Sequence, residues 1–304
     1  MNWLRRGREQ TSRPTWATGL SDREYRSLRD QIELQLDGTG VAYAWSEGGE
    51  TMTIELSERY TATAYFNNLA TLWRLETDLE RPALVAEHIN GLLTQEPVPA
   101  TFDEAAPRLK ARIVTPVYVT TPDTTYRPLT QEFGAVPVIE MAHSRHTVIA
   151  YTLEQWGVDA DAVWNVAIAN VHSEDNLKDE WTPLQFGVRV HAIFGATPFG
   201  AARALDLARY LEPEHRHGAL VGIPSGTELI SHTIKTQAYE IARDFMLNVV
   251  ARLFDEEEID AVSPHLYWWQ QGRWTRLTEL SGNRLHWSPP AEFTTMLAQL
   301  TRAG

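Results

Sequence analysis

The sequence predicts an α+β fold: two compact units of mixed helices and strands, with mainly antiparallel sheets and packed helices. Three observations predict it. Segments with apolar residues at helical spacing are interspersed unevenly with short β-branched runs, which disfavours a regularly wound parallel sheet. Turn signals of the hairpin kind join several of those runs. A proline-rich stretch, 96–110, divides the chain into a small α-β-β-β-α unit at 15–95 and a larger unit at 111–278. Residues 1–14 read as a basic tail carrying Arg5, Arg6, Arg8 and Arg13, and 279–304 as an extension with a short helix.

The first helix opens at Ser21, which can cap it while Glu24 reaches back. Tyr25, Leu28, Ile32 and Leu36 then share one face, and Gly38 and Gly40 stop it. Strands follow at Val41–Trp45, Met52–Leu56 and Thr61–Phe66, the first two joined by the Glu47-Gly-Gly-Glu50 turn. Pro82 starts a helix with Val85, Ile89, Leu92 and Leu93 on its apolar side.

Beyond the prolines, Ala111–Thr120, Val136–Met141 and Thr147–Tyr151 read as strands. Thr152 is placed to cap a short turn of helix that Gly157 ends, and Asp159 or Asp161 starts the next helix. Trp181–Phe194 reads as one or two strands, Phe199–Leu211 as a helix, and Ala219–Ile223 and Leu229–Ile234 as strands. The longest helix is Ala238–Phe254. A hairpin is predicted at Tyr267-Trp-Trp-Gln-Gln-Gly-Arg-Trp274, and a last short helix at Ala291–Thr301.

Composition narrows the function. An apolar fraction of 43% supports a packed core. A formal net charge of −13 argues against a nucleic-acid partner, which needs a basic face. No apolar run approaches the roughly 20 residues of a membrane span. The start has no apolar signal-peptide segment, so a cytoplasmic address is expected. Without cysteine there is no disulfide, thiol nucleophile or thiolate metal site.

Chemical motifs are sparse. Gly195-Ala-Thr-Pro-Phe-Gly200 lacks the Lys-Ser/Thr of a phosphate loop, and no cofactor is implied. His143 and His146 stand three apart at a strand–turn boundary, and His215 and His217 flank Arg216 in a loop. Neither pair has the context of a metal site, and no metal is expected. Ser225, in Gly222-Ile-Pro-Ser-Gly226, sits in turn chemistry joining two strands rather than in a nucleophile elbow, with His232 nearby in sequence. Acidic runs such as Asp255-Glu-Glu-Glu258 read as solvated faces. Asn170 lies on the stripe of Val163 and Val166, so its amide needs a structural partner. Alternation sends Trp268 to one side of the aromatic hairpin and Tyr267 with Trp269 to the other. Burial on both sides is one reading. The other leaves Tyr267, Trp269 and Trp274 available to a protein partner.

Five blocks resemble the uncharacterised bacterial family typified by the YtpQ protein. They are Arg112-Ile-Val-Thr-Pro-Val117, Leu153-Glu-Gln-Trp156 with Ala167–Asn170, Ala201-Ala-Arg-Ala-Leu205, Ile223-Pro-Ser-Gly-Thr-Glu-Leu229 and Ser263-Pro-His-Leu-Tyr267. The chain departs from that pattern at Phe199-Gly-Ala201, where the family has a Tyr-Asp-Ala type of start. The family brings no catalytic residues and implies a bacterial cytosolic protein. Tyr65-Phe-Asn-Asn-Leu69, followed by Glu80-Arg81 and a helix, resembles the domains of type III secretion chaperones. The function expected from all this is a protein-binding or regulatory role. The alternative is a hydrolase whose site, between the two halves, uses His143, His146, Ser225, His232 or carboxylates.

Overall fold

The computed structural model describes residues 13–303 except 58–59, 95, 120–121, 143, 214, 258 and 283, so most of the predicted basic tail lies outside the described residues. The fold is α+β, and every strand pair in it is antiparallel. Two compact units emerge. One is the chain to Pro97 with Met141–Ser144, and the other is Val98–Glu140 with Arg145 onward.

In the first unit, α1 (Asp22–Thr39) begins with a complete capping box between Ser21 and Glu24 and ends at Gly40 with φ 72°. It buries Leu28, Ile32 and Leu36 against a sheet of β1 (Tyr43–Trp45), β2 (Met52–Ser57) and β3 (Tyr60–Ala64). The β1–β2 turn uses positive φ at Gly48 and Gly49, which glycine adopts without steric cost. An extra helix, α2 (Asn67–Leu75), precedes α3 (Arg81–Leu93), so the unit is α-β-β-β-α-α. α2 buries Leu69, Ala70 and Trp73 within a single short stretch, too brief for a helical period to stand out in the sequence.

The proline-rich stretch is largely folded. Thr101 caps α4 (Phe102–Ala105), a 3₁₀ turn follows, and β4 (Leu109–Val114) starts inside the predicted linker. Trp156 ties it down by donating its indole N–H to the Pro99 carbonyl at 3.1 Å. β4 pairs with β6 (Gly134–Glu140), which also pairs with β5 (Arg127–Pro128) and β7 (Arg145–Thr147). The strand predicted at 147–151 gives way to α5 (Ala150–Trp156). Ile149, not Thr152, holds the cap position, and Gly157 closes the helix at φ 66°.

Asp159 caps α6 (Ala160–His172), accepting from the Ala162 N–H at 2.7 Å. α6 lies on β4 through buried Val163, Ala167 and Val171. Asn170, half-buried, donates its amide to the carbonyls of Ala106 (2.7 Å) and Leu109 (2.8 Å). Leucine at this position strands two carbonyls, so Asn170→Leu is expected to destabilise by about 1–3 kcal/mol. An unchanged urea midpoint would show that water replaces the amide at no cost.

The large sheet has the order β13-β12-β10-β11-β9-β8. Its strands are β8 (Leu177–Pro183), β9 (Arg189–Gly195), β10 (Ala219–Gly222), β11 (Leu229–Thr233), β12 (Leu266–Gln270) and β13 (Arg273–Arg276). The helix predicted at Phe199–Leu211 is a 3₁₀ segment, Ala201–Tyr210, broken at Asp206. α7 (Tyr239–Glu256) covers one face of the sheet with Ala242, Met246 and Val250. A further hairpin, β14 (Thr278–Ser281) and β15 (Arg284–Trp287), leads to α8 (Ala291–Ala303). α8 is no appendage: Phe293, Met296 and Leu300 join the core formed by α7, Leu220, Trp268 and Leu277.

Candidate functional site

Among the described residues, the histidines and serine singled out by the sequence sit on separate segments. His143 lies outside the described residues. His146 sits on β7 opposite Ile139, and burial lowers its pKa. Ser225 is buried, its hydroxyl 2.8 Å from the Thr227 hydroxyl and 3.5 Å from the Glu228 carboxylate. His232 instead faces the Arg189 carbonyl through Nδ1 at 2.8 Å, and burial lowers its pKa too. Among the described residues Ser225 and His232 thus bond other groups, and no serine–histidine bond joins them. Among the described residues no three His, Asp or Glu side chains form a group that could hold a metal ion.

The Ser225 turn belongs to a packed junction. Its neighbour Gly226 donates its N–H to the Asp260 carbonyl and accepts from the Ala201 N–H, while Val262 and Ser263 bond back to Pro224 and Ile223. A Cβ at Gly226 would lie 2.3 Å from the Asp260 carboxylate, and one at Gly200 would lie 2.0 Å from the Thr227 carbonyl. The backbone approach requires glycine at Gly200, whereas a side chain at Gly226 would have to displace the Asp260 carboxylate. Arg112 reaches Asp260 at 2.5 Å. Burial raises the Asp260 carboxyl above its usual range, with Arg112 pulling the other way. Three of the conspicuous sequence blocks thus serve to join strands and loops.

The aromatic hairpin proves to be core on both sides. β12 and β13 turn at Gln271 and Gly272, both with positive φ. Trp268 packs edge-on to Phe293 at 5.3 Å. On the opposite face Tyr267 and Trp274 meet Phe133 at 5.1 and 5.7 Å, and the Tyr267 hydroxyl pairs with Ser263 at 2.7 Å. Tyr267 is fully buried, Trp269 is 8% exposed and Trp274 is half-buried. The expected docking surface at Tyr267, Trp269 and Trp274 is therefore corrected: Phe133, from the loop before β6, takes part of the place assigned to a partner.

Exposed aromatic surface lies at the other end of the same sheet. Trp181, on edge strand β8, is 37% exposed. Its ring stacks on His191 at 4.4 Å with planes 11° apart, and the Arg189 guanidinium sits 4.3 Å from its centroid. His191 in turn bonds Asp179 at 2.5 Å. Arg189 donates to Glu212 at 2.8 Å, and Arg189 with Lys235 holds that carboxyl down at about 2. The indole is thus presented by side chains that are themselves fixed, which limits the entropy lost when it is covered.

Three residues past β8, the loop to β9 holds Phe186 at φ 55°, ψ 32°, with 86% of its surface exposed. A bulky L-residue in this left-handed region is strained, and such strain collects at ligand clamps and switches. Leu184 N–H to Val188 O (2.7 Å) and Val188 N–H to Gln185 O (3.1 Å) close the loop that imposes it. Beside it runs a groove of about 550 Å³, lined by Pro183, Leu184 and Gln185 of the hairpin and Ile241, Asp244 and Phe245 of α7. Sequence reasoning missed this site. Gly187 is a visible turn signal, but nothing local says that the residue before it also takes positive φ.

No family model, curated protein or solved structure matches the chain. The two resemblances drawn from the motifs find no support in those comparisons, so the site rests on its geometry alone. Among the described residues, no helix is long and apolar enough to cross a membrane.

Proposed function

We propose that the protein binds another protein through the β8–β9 hairpin. One observation carries the reading: an almost fully exposed phenylalanine is held in a strained conformation beside a partly apolar groove. Folding alone gains nothing from this arrangement, because Phe186 is neither buried nor free of strain. Aromatic side chains supply much contact area with few rotatable bonds, which suits an interface anchor. Trp181, braced by Arg189 and His191, offers a second anchor on the same hairpin.

The proposal sets stability against function at one residue. Phe186→Gly removes the left-handed strain and should raise stability by about 1 kcal/mol. The same change should remove partner capture. A photo-crosslinking side chain at Phe186 should give a discrete adduct in the native cell. The same group at Leu280, which is 59% exposed on the β14–β15 hairpin, should not. Equal yields at the two positions would overturn the reading.

A further inference from the structure

We infer that the partner segment is a basic, extended chain that adds to the outer edge of β8 as a further strand of the large sheet; this rests on the β8–β9 hairpin being the binding surface. β8 runs for seven residues in unbroken register with β9, from Leu177 opposite Gly195 to Pro183 opposite Arg189. It ends the sheet, and among the described residues its outer side has no backbone partner. Edge strands are normally protected by shortness, bulges, proline or charged side chains, lysine above all. β8 has no bulge, and its proline is the last residue. Its exposed charges are Lys178, 5.6 Å from the ring of Phe194 on the neighbouring strand, and Asp179 and Glu180, so what guards this edge is charge, mostly negative. The opposite edge is different: β13 has four residues and an arginine at each end.

Charge selects the occupant. Asp179 and Glu180 occupy the middle of the strand, and Asp175 lies just before it. Glu180 and Asp175 are exposed, and among the described residues neither has a hydrogen-bonding or ionic partner. A second copy pairing antiparallel about the strand's centre would set Asp179 against Asp179, Glu180 against Glu180, or one against the other. The registers that set Glu180 against Glu180 or Asp179 against Glu180 place like charges directly opposite with no compensating pair. The register centred on Asp179 sets Asp179 against Asp179 but Lys178 against Glu180, whereas lysine or arginine on an incoming strand meets the acids favourably. Main-chain bonds to β8 supply affinity in this mode and the charges supply selectivity. Trp181 and Phe186 lie along and beyond the same strand, so an added strand passes both anchors.

The test uses the full chain and short synthetic peptides that alternate lysine with valine. The intact peptide should slow amide hydrogen exchange at alternate residues of β8. A lysine-matched peptide interrupted by proline should not, because it lacks the donors for a ladder. Glu180→Lys, a change at an exposed side chain, should weaken binding of the intact peptide by about tenfold through replacing attraction with repulsion. Equal binding of the proline-interrupted peptide, or binding that leaves β8 amides unprotected, overturns strand addition. Persistence of the Phe186 crosslink would then leave the hairpin reading standing. Protection of β8 by raising protein concentration alone identifies a second copy as the occupant and overturns the basic partner. Absence of peptide binding overturns the inference, and loss of the Phe186 crosslink as well removes the hairpin reading with it.

Discussion

Trp269→Ala is expected to destabilise the protein by about 3–5 kcal/mol, the range for removing a core tryptophan. The indole is 8% exposed and sits on β12, between Ala219 of β10 and Trp274 of β13 in the ladder. The His215 ring packs at 6.3 Å, and a Cβ at Gly218 would lie only 2.1 Å from the Trp269 carbonyl, so the strands around it are already in tight contact. Truncation leaves a cavity that such packing cannot readily close. Urea unfolding measures the loss. A change below about 1 kcal/mol would show a site that collapses or admits water, and would reopen this residue as a surface anchor.

A loss of about 3 kcal/mol or more is expected for Asp260→Leu, which leaves the largely buried Arg112 guanidinium without its carboxylate. Arg112 Nε has no hydrogen-bond partner even in the intact pair, and the ring of Tyr118 lies 5.1 Å from its guanidinium. The charge is therefore poorly compensated once Asp260 is gone. Burial raises the Asp260 carboxyl despite Arg112, so the pair gains little over its uncharged alternatives. Arg112→Met combined with Asp260→Leu should accordingly be more stable than Asp260→Leu alone. If the double variant simply adds the two single losses, the residues are not coupled and the junction is held by its backbone bonds.

Elements signalled by local chemistry were legible in the sequence. The Ser21 box, the Asp159 cap and the Gly157 stop each depend on atoms within four residues of one another, and all three are in place. Alternation along Tyr267–Trp269 correctly divided the two faces. It could not reveal that Phe133 and Phe293, each distant in sequence, lie against those faces. The same limit hid the groove, whose walls come from residues 183–185 and 241–245. At Ala201–Tyr210 the apolar spacing suggested an α-helix, but the chain tightens into 3₁₀ turns and breaks at Asp206 (φ −131°). Close packing of Gly200 against the Thr227 carbonyl and of buried Arg203 against the Glu174 carbonyl fixes that path, and both contacts are long-range. At Asn170 a polar residue on an apolar stripe implied partners; the residue is half-buried, and its amide donates to the carbonyls of Ala106 and Leu109.

The place of α8 bears on the order in which the chain acquires its structure. Phe293 packs against Tyr239, Trp268 and Trp287, so the core beneath α7 is incomplete until the Ala291–Ala303 segment has left the ribosome. Domains generally fold as units during synthesis, the earlier ones first. The part of the core that Phe293, Met296 and Leu300 fill therefore stays open while α7 and the strands beneath it are already outside the exit tunnel. During that interval Tyr239, Trp268 and Trp287 lack the cover that Phe293 gives them and can meet solvent or other nascent chains. Slowing translation near residue 290 would lengthen the exposure, so a pause placed between α7 and α8 should raise aggregation during synthesis.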